Sequence, residues 1–381
     1  MVLSKAHHQR WVLLVLLALL GGLLLIGFLA QSGSRQFAPA STACPSVPTG
    51  APPAQRSSSL IVGLNSVWND GCDLKAVVSA GATYERYGVP WASVEPRPGR
   101  WTFATFDRDF ATAARYGVTM LPVLMDIPGW AGRAWNAIPA NPARFAAYVA
   151  QVVARYGPRG EFWRSHPRIP YRPARWFEIW NEPYLEQFSA GGPNPGAYAR
   201  LFSASVAAGR SANPAARFLI QANVVGKTSD GDSAPWIEPM YAAVPDLSRY
   251  VDGVAVHPYT STQSPSTGDA DADFGRIAVV RQQFAAHGAG SRPFWITEIG
   301  WSTCPGDPSS CVSESEQAGY LERVFQLVRG PYASFVHAVF PYNYRDGIER
   351  DGTDPERWFG LLRRNGVPKH AWSVLRAAGR S

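Results

Sequence analysis

Glu182 lies at the end of one aromatic, apolar run, WFEIWNEP (176–183), and Glu298 at the end of another, PFWITEIGW (293–301). Two carboxylates closing separate apolar runs can share a task only if folding brings them together. The task such a pair performs unaided is cleavage of a glycosidic bond: one carboxyl protonates the departing oxygen while the other, ionised, attacks or shields the anomeric carbon. No metal and no organic cofactor is required, but the surroundings must hold the two groups in opposite protonation states. Arg86, inside TYERYGV (83–89), is the charge suited to keep Glu298 ionised, which leaves Glu182 as the proton donor.

These residues must be presented by elements that converge. From residue 59 onward short apolar runs alternate with longer amphipathic segments. The strand candidates are LIVGLN (60–65), TYERYGV (83–89), VTMLPVLM (118–125), WFEIWN (176–181), RFLIQAN (217–223), VDGVAVH (251–257), PFWITEI (293–299) and VHAVFPY (336–342). Helical patterns follow, clearest in TFDRDFATAARYG, NPARFAAYVAQVVARYG, PGAYARLFSASVAAGRSAN, DFGRIAVVRQQFAAHG, SESEQAGYLERVFQLVRG and AWSVLRAAG. Eight β-then-α units match an α/β chain of the (β/α)8 barrel type better than an open doubly wound sheet, which has fewer strands and a nucleotide loop.

In such a barrel the polar residues that finish the strands meet at one mouth. Here they are Asn65, Arg86, Asp126, Asn181, Glu182, Asn223, His257, Tyr259, Glu298, Tyr342 and Asn343. Trp130 joins Asp126 as a candidate substrate contact from the loop after the third strand. Strand alternation puts Glu178, Trp180 and Glu182 on one face and Asn181 on the other, so Asn181 and Glu182 can serve one sugar only if the strand kinks or bulges at its end. Glu178 is read as structural, paired inside the barrel with Arg86 or His337. Trp68, Trp91, Trp135, Tyr184 and Trp358 are further candidates for sugar platforms.

WNEP at 180–183 and TEIGW at 297–301 resemble the acid/base and nucleophile motifs of retaining glycoside hydrolase clan A. VPWASVEPRPGRW (89–101), AVHPY (255–259) and FGLLRRNGVPKHAW (359–372) extend the resemblance toward families 39 and 5, bacterial exopolysaccharide-cleaving members included, over nearly all of residues 60–375. The resemblance implies Glu182 as acid/base, Glu298 as nucleophile and Asn181 as partner of the sugar 2-hydroxyl. It further implies that Arg86 and Tyr259 hold Glu298, that His257 lines the cleft, and that Trp301 and Tyr342 offer aromatic faces to a sugar ring. The eighth strand ends in FPYNY, where many relatives carry a Trp.

The rest of the chain bears on location. Residues 11–30, WVLLVLLALLGGLLLIGFLA, are uncharged and long enough to cross about 30 Å of hydrocarbon. With Lys5 and Arg10 before them, they read as a single-pass signal anchor that places residues 1–10 in the cytoplasm and the remainder outside; cleavage after APA (38–40) would give a secreted protein instead. Residues 31–58 read as a Pro/Ser-rich linker and 59–381 as the catalytic domain. Cys44, Cys72, Cys304 and Cys311 allow three disulfide pairings, of which Cys44–Cys72 and Cys304–Cys311 are favoured. They lack the short paired spacing of a zinc site.

The net charge of +7 comes almost entirely from Arg scattered without a run, which argues against nucleic acid as partner. VGKTSDGD lacks the first glycine of a phosphate loop, and GDADADFG lacks the spacing of a calcium loop. LIVGLN carries no His-x-His for a metal-dependent barrel hydrolase. The expected partners are a poly- or oligosaccharide and, through the N-terminal helix, a membrane; a monomer without cofactor is expected. A transglycosylase on the same scaffold and a catalytically silent glycan-binding barrel are the alternatives.

Overall fold

The computed structural model describes residues 44, 60–67, 69–267, 274–306, 309–347 and 354–380. The apolar run 11–30, the linker 31–58 apart from Cys44, Trp68 and the acidic stretch 269–273 lie outside them. Among the described residues no helix is long and apolar enough to cross a membrane.

Eight parallel strands close into a barrel in the order β1-β10-β9-β8-β5-β4-β3-β2. They are β1 (Ile61–Asn65), β2 (Tyr84–Pro90), β3 (Thr119–Met125), β4 (Trp176–Ile179), β5 (Arg217–Gln221), β8 (Gly253–Val256), β9 (Phe294–Ile299) and β10 (Val336–Pro341). Strands covered on both faces need apolar residues at nearly every position, and that is why each appears in the sequence as a continuous run. One element was not foreseen. β6 (Val225–Lys227) and β7 (Ser233–Pro235) form an antiparallel hairpin in the VGKTSDGD region, and Lys227 N–H donates to Tyr184 O at 2.7 Å, so the hairpin clips the segment that follows Glu182.

The helices are α1 (Gly71–Ser79), α2 (Trp91–Val94), α3 (Ala104–Tyr116), α4 (Pro142–Tyr156), α5 (Glu161–Ser165), α6 (Pro195–Ala212), α7 (Ile237–Ala243), α8 (Arg276–Ala286), α9 (Glu314–Arg329) and α10 (His370–Ala378). Their starts are written in the sequence. Asp70, Asn141 and Asn194 accept backbone N–H groups at helix N-termini, and Ser313 with Glu316 forms a full capping box. The apolar faces of these helices bury against the outer face of the strands in one large core.

A second, smaller core fills the barrel itself: Leu121, Leu219, Ala255, Trp295, Ala338 and Phe340, with Ile61, Tyr84 and Trp176 packed against it. Trp295 stacks on Phe340 at 6.1 Å and meets Trp176 at 5.0 Å. Rings this large fit because neighbouring strands offer almost nothing in return. A Cβ on Gly63 would collide with the Phe340 ring, and one on Gly253 would approach Leu219 to 2.8 Å.

Cys44 pairs with Cys72 and Cys304 with Cys311. The second bridge closes the loop that leads from β9 to α9.

Candidate active site

Above the aromatic floor the barrel interior turns polar. Asn65, Arg86, Glu178, Gln221, His257 and Thr297 are all buried and bond into a ring. Arg86 binds Glu178 with Nε and Nη2, both at 2.8 Å, and Asn65 Oδ1 with Nη1 at 3.3 Å. Asn65 Nδ2 donates to Thr297 O at 2.9 Å, and Thr297 Oγ1 lies 3.0 Å from His257 Nε2. Gln221 Nε2 donates to Glu178 Oε1 and lies 3.2 Å from His257 Nε2, which closes the circle. Buried polar groups are tolerated when mutually bonded, and this ring makes a rigid base for whatever stands on it. Glu178 finds Arg86; His337, its other candidate partner, is exposed on β10.

Two local departures from strand geometry lift the carboxylates onto this base. After Ile179 the backbone at Trp180 has φ 69° and at Glu182 φ 41°, the left-handed region that costs a non-glycine residue about 1 kcal/mol or more. Simple alternation therefore fails. Trp180 shares no face with Glu178; it turns outward, 5.7 Å from the Phe145 ring, with its indole N–H on Phe188 O at 2.8 Å. Asn181 and Glu182, set on opposite faces by alternation, both reach the barrel mouth. On β9 the register with β10 shifts from Val339↔Ile296 to Pro341↔Ile299, so β9 carries one more residue than its neighbour across this step. That bulge lets adjacent residues work together: Thr297 joins the polar ring and Glu298 rises to the mouth.

The result is a tight cluster. Oxygens of Glu182 and Glu298 and a ring nitrogen of His257 all lie within 4.8 Å of one another. Glu298 accepts from Arg86 Nη1 through Oε1 and from Tyr259 through Oε2, the latter at 2.8 Å. Glu182 Oε1 is 2.9 Å from His257 Nδ1 and accepts from Tyr184 at 3.2 Å. Asn181 Oδ1 accepts from Arg86 Nη2 at 2.8 Å. The two carboxyls are thus adjacent yet differently served, since the guanidinium and Tyr259 touch Glu298 alone.

Electrostatics follow from these contacts. Burial by itself would raise the Glu298 carboxyl, but His257, Arg86 and the Tyr259 hydrogen bond outweigh it and hold the group below the usual glutamate range. Burial would likewise lower His257; Glu298 and Glu182 reverse this and raise it. Arg86 is raised too, because Glu178 and Glu298 overcome the effect of its burial. The trio Glu182, His257 and Glu298 has the spacing of a metal site, but the donor chemistry argues otherwise: both Glu298 oxygens already accept hydrogen bonds, one of them from a cation.

The remaining candidates divide. Tyr342 stands near the mouth, half-buried, with its ring 5.5 Å from Phe359 and its hydroxyl on Glu356. Trp301 does not offer an open face. It is 2 % exposed, its N–H bonds Thr260 Oγ1 at 3.0 Å, and its ring meets that of Tyr320 edge to face at 5.5 Å. Trp130 is half-buried, bonded to Glu95 O at 2.9 Å and set edge-on to Trp91. Trp91 stacks on Tyr148 and is sealed. Asp126 ends β3 in the left-handed region at φ 58°, is buried with Oδ1 unpaired, and is pushed by burial up to about 7. Asn223 bonds its own neighbour's amide.

Sequence reasoning missed Gln221 and Thr297, which alternation on β5 and β9 could have placed beside Glu178. It also missed Glu356, pushed by burial up to about 7 within the electrostatic reach of Glu298 and Glu182, and that residue had no motif to mark it.

No protein-family model matches this sequence, and no curated protein does either. Solved structures do. A family 39 glycoside hydrolase from Bacteroides cellulosilyticus WH2 superposes with a TM-score of 0.64 at 20% identity, covering 84% of this chain and 63% of that one. A monomeric beta-xylosidase from Caulobacter crescentus CB15 gives 0.59 at 19% identity, covering 86% and 68%. A GH5_18 protein from Streptomyces cattleya, solved in complex with GlcNAc, gives 0.61 at 16% identity, covering 84% and 80%. The chain therefore spans less than two thirds of the family 39 hydrolase it is similar to. What these likenesses establish is a shared architecture: the chain has the eight-stranded parallel barrel on which glycoside hydrolases of families 39 and 5 are built.

Proposed function

We propose that this protein is a retaining β-glycoside hydrolase of a polysaccharide, with Glu182 as acid/base and Glu298 as nucleophile. The observation that carries the reading is the approach of the two carboxyls within 4.8 Å, close to the ~5 to 5.5 Å that double displacement requires and too near to leave room for a water between them. Glu298, kept ionised by Arg86, His257 and Tyr259, attacks the anomeric carbon. Glu182 gives its proton to the departing oxygen and then takes one from the water that releases the sugar. Asn181, anchored by its oxygen to Arg86, keeps its amide N–H groups for the 2-hydroxyl. The barrel likeness to glycoside hydrolases supports the same reading, and the apolar segment 11–30 supports a site held outside the membrane.

The test is a screen of the purified protein against fluorogenic β-glycosides and cell-envelope polysaccharides, followed by NMR of the first-formed product. A β-anomer released by the wild type, with turnover lost in Glu182→Gln and Glu298→Gln, supports the proposal. An α-anomer would overturn retention; glycan binding without any turnover would make the barrel a silent binding protein.

A further inference from the structure

Arg86 offers five N–H donors, and each meets an acceptor: Nε and one Nη2 hydrogen on Glu178, the other on Asn181, and the two Nη1 hydrogens on Asn65 and Glu298. Glu178 is fully buried and touches neither reacting carboxyl. Its oxygens receive Arg86 twice, Gln221, and Thr297 Oγ1 at 3.3 Å. Gln221 and Thr297 are also the groups that contact His257 Nε2, which lies 3.9 Å from Glu178 Oε1. One carboxylate thus stands beneath both arms of the site, reaching Glu298 through Arg86 and Glu182 through His257.

We propose that Glu178 is a positioning residue of the proposed reaction: its carboxylate fixes the Arg86 fork so that Nη1 reaches Glu298 and Nη2 reaches Asn181, and its charge cancels that of Arg86 beneath the two reacting groups. The inference rests on the glycosidase reading for its kinetic consequences but not for its electrostatic ones. A guanidinium fork held bidentate has one orientation. Without that hold, Arg86 is free to turn both Nη groups onto Glu298 and abandon Asn181. Its charge would also act uncompensated on His257, which otherwise faces Glu178, Glu182 and Glu298, with the Tyr259 ring edge-on at 6.4 Å. A cation left without its counter-ion makes a neighbouring imidazolium lose its proton at lower pH.

The test compares full-length wild type with Glu178→Gln, which keeps size and loses charge, and Glu178→Asp, which keeps charge and loses reach. Kinetics on the best glycan of the screen are read across pH, and His257 is titrated by NMR with isotope-labelled histidine. For Glu178→Gln we expect kcat to fall roughly tenfold or more with KM within about twofold. The alkaline limb and the His257 midpoint should both move down by about one pH unit. For Glu178→Asp, kcat falls while limb and midpoint stay. A Glu178→Gln protein with the wild-type limb and midpoint, losing only thermal stability, overturns the proposal. If Glu178→Gln does not fold, undiminished kcat in Glu178→Asp overturns it. If the wild type turns over no glycan, the glycosidase reading fails by itself, and an unmoved His257 midpoint in Glu178→Gln is what would sink this one.

Discussion

His257 Nδ1 stands 2.9 Å from Glu182 Oε1, and the same nitrogen is 3.6 Å from Glu298 Oε2. One imidazole therefore bridges the two carboxyls and is the largest single influence opposing the effect of burial on Glu298. Replacing it by Gln should raise the Glu298 carboxyl, so that the acid limb of the pH–rate profile moves up by about one unit, with kcat/KM reduced by roughly ten- to a hundredfold. Stability should change with a definite sign. Glu298, depressed in the fold, adds stability that is lost as pH falls through its folded value; His257, raised in the fold, adds stability that is lost as pH rises through its own. His257→Gln should flatten the alkaline loss, as read by thermal unfolding across pH.

Glu182→Ala should turn over a substrate with an activated leaving group only slowly, because the covalent intermediate lacks its base. Added azide should restore release as a β-glycosyl azide, seen by mass spectrometry and NMR. An azide product of α configuration would contradict Glu298 as nucleophile.

EDTA, followed by dialysis, should leave kcat and KM unchanged. Arg86 and Tyr259 already occupy both oxygens of Glu298, so a cation at the cluster would have to displace a guanidinium to bind. Activity restored only by adding zinc or another divalent ion would refute this.

Asp126 is pushed by burial up to about 7, well above the 3.8 of an exposed aspartate. A carboxyl raised in the fold stabilises below its unfolded value, and that contribution is lost as pH climbs through about 7. Asp126→Asn should therefore abolish a decline of about 2 to 4 kcal/mol between pH 4 and pH 8. Parallel denaturation curves for the two proteins over that range would show that the buried carboxyl is not the cause.

Gly63→Ala should destabilise the barrel by about 2 to 4 kcal/mol, since the added methyl meets the Phe340 ring in an interior with no slack. Phe340→Leu in the same chain should recover part of that loss, and a double-mutant cycle measures the coupling. Additive effects would place the strain elsewhere.

All eight barrel strands were legible because parallel strands buried on both faces have no choice but to be apolar throughout. The polar residues that end them were legible for the same reason, as interruptions of otherwise apolar runs. What alternation could not foresee was the handedness of the backbone at Trp180 and Glu182 and the extra residue on β9, since neither position carries a glycine to announce it. Trp301 is sealed by Thr260 and Tyr320, residues distant in the chain that no spacing around TEIGW announces. Glu356 came to the site through a loop after β10, and loops keep no period.

The cluster of Tyr84, Trp176, Trp295 and Phe340 acts as a stopper in the lower end of the cylinder. Leu121, Leu219, Trp295 and Phe340 are sealed there, so among the described residues the interior beneath the polar ring is filled and the site opens at the strands' C-terminal ends. Under the proposed double displacement, the molecule that resolves a covalent sugar on Glu298 would enter by the way the first product left, and there water and a second sugar's hydroxyl would compete as rivals for one threshold. The balance between cutting a glycan and rebuilding one would then be decided at the rim, by how quickly the outgoing chain vacates it.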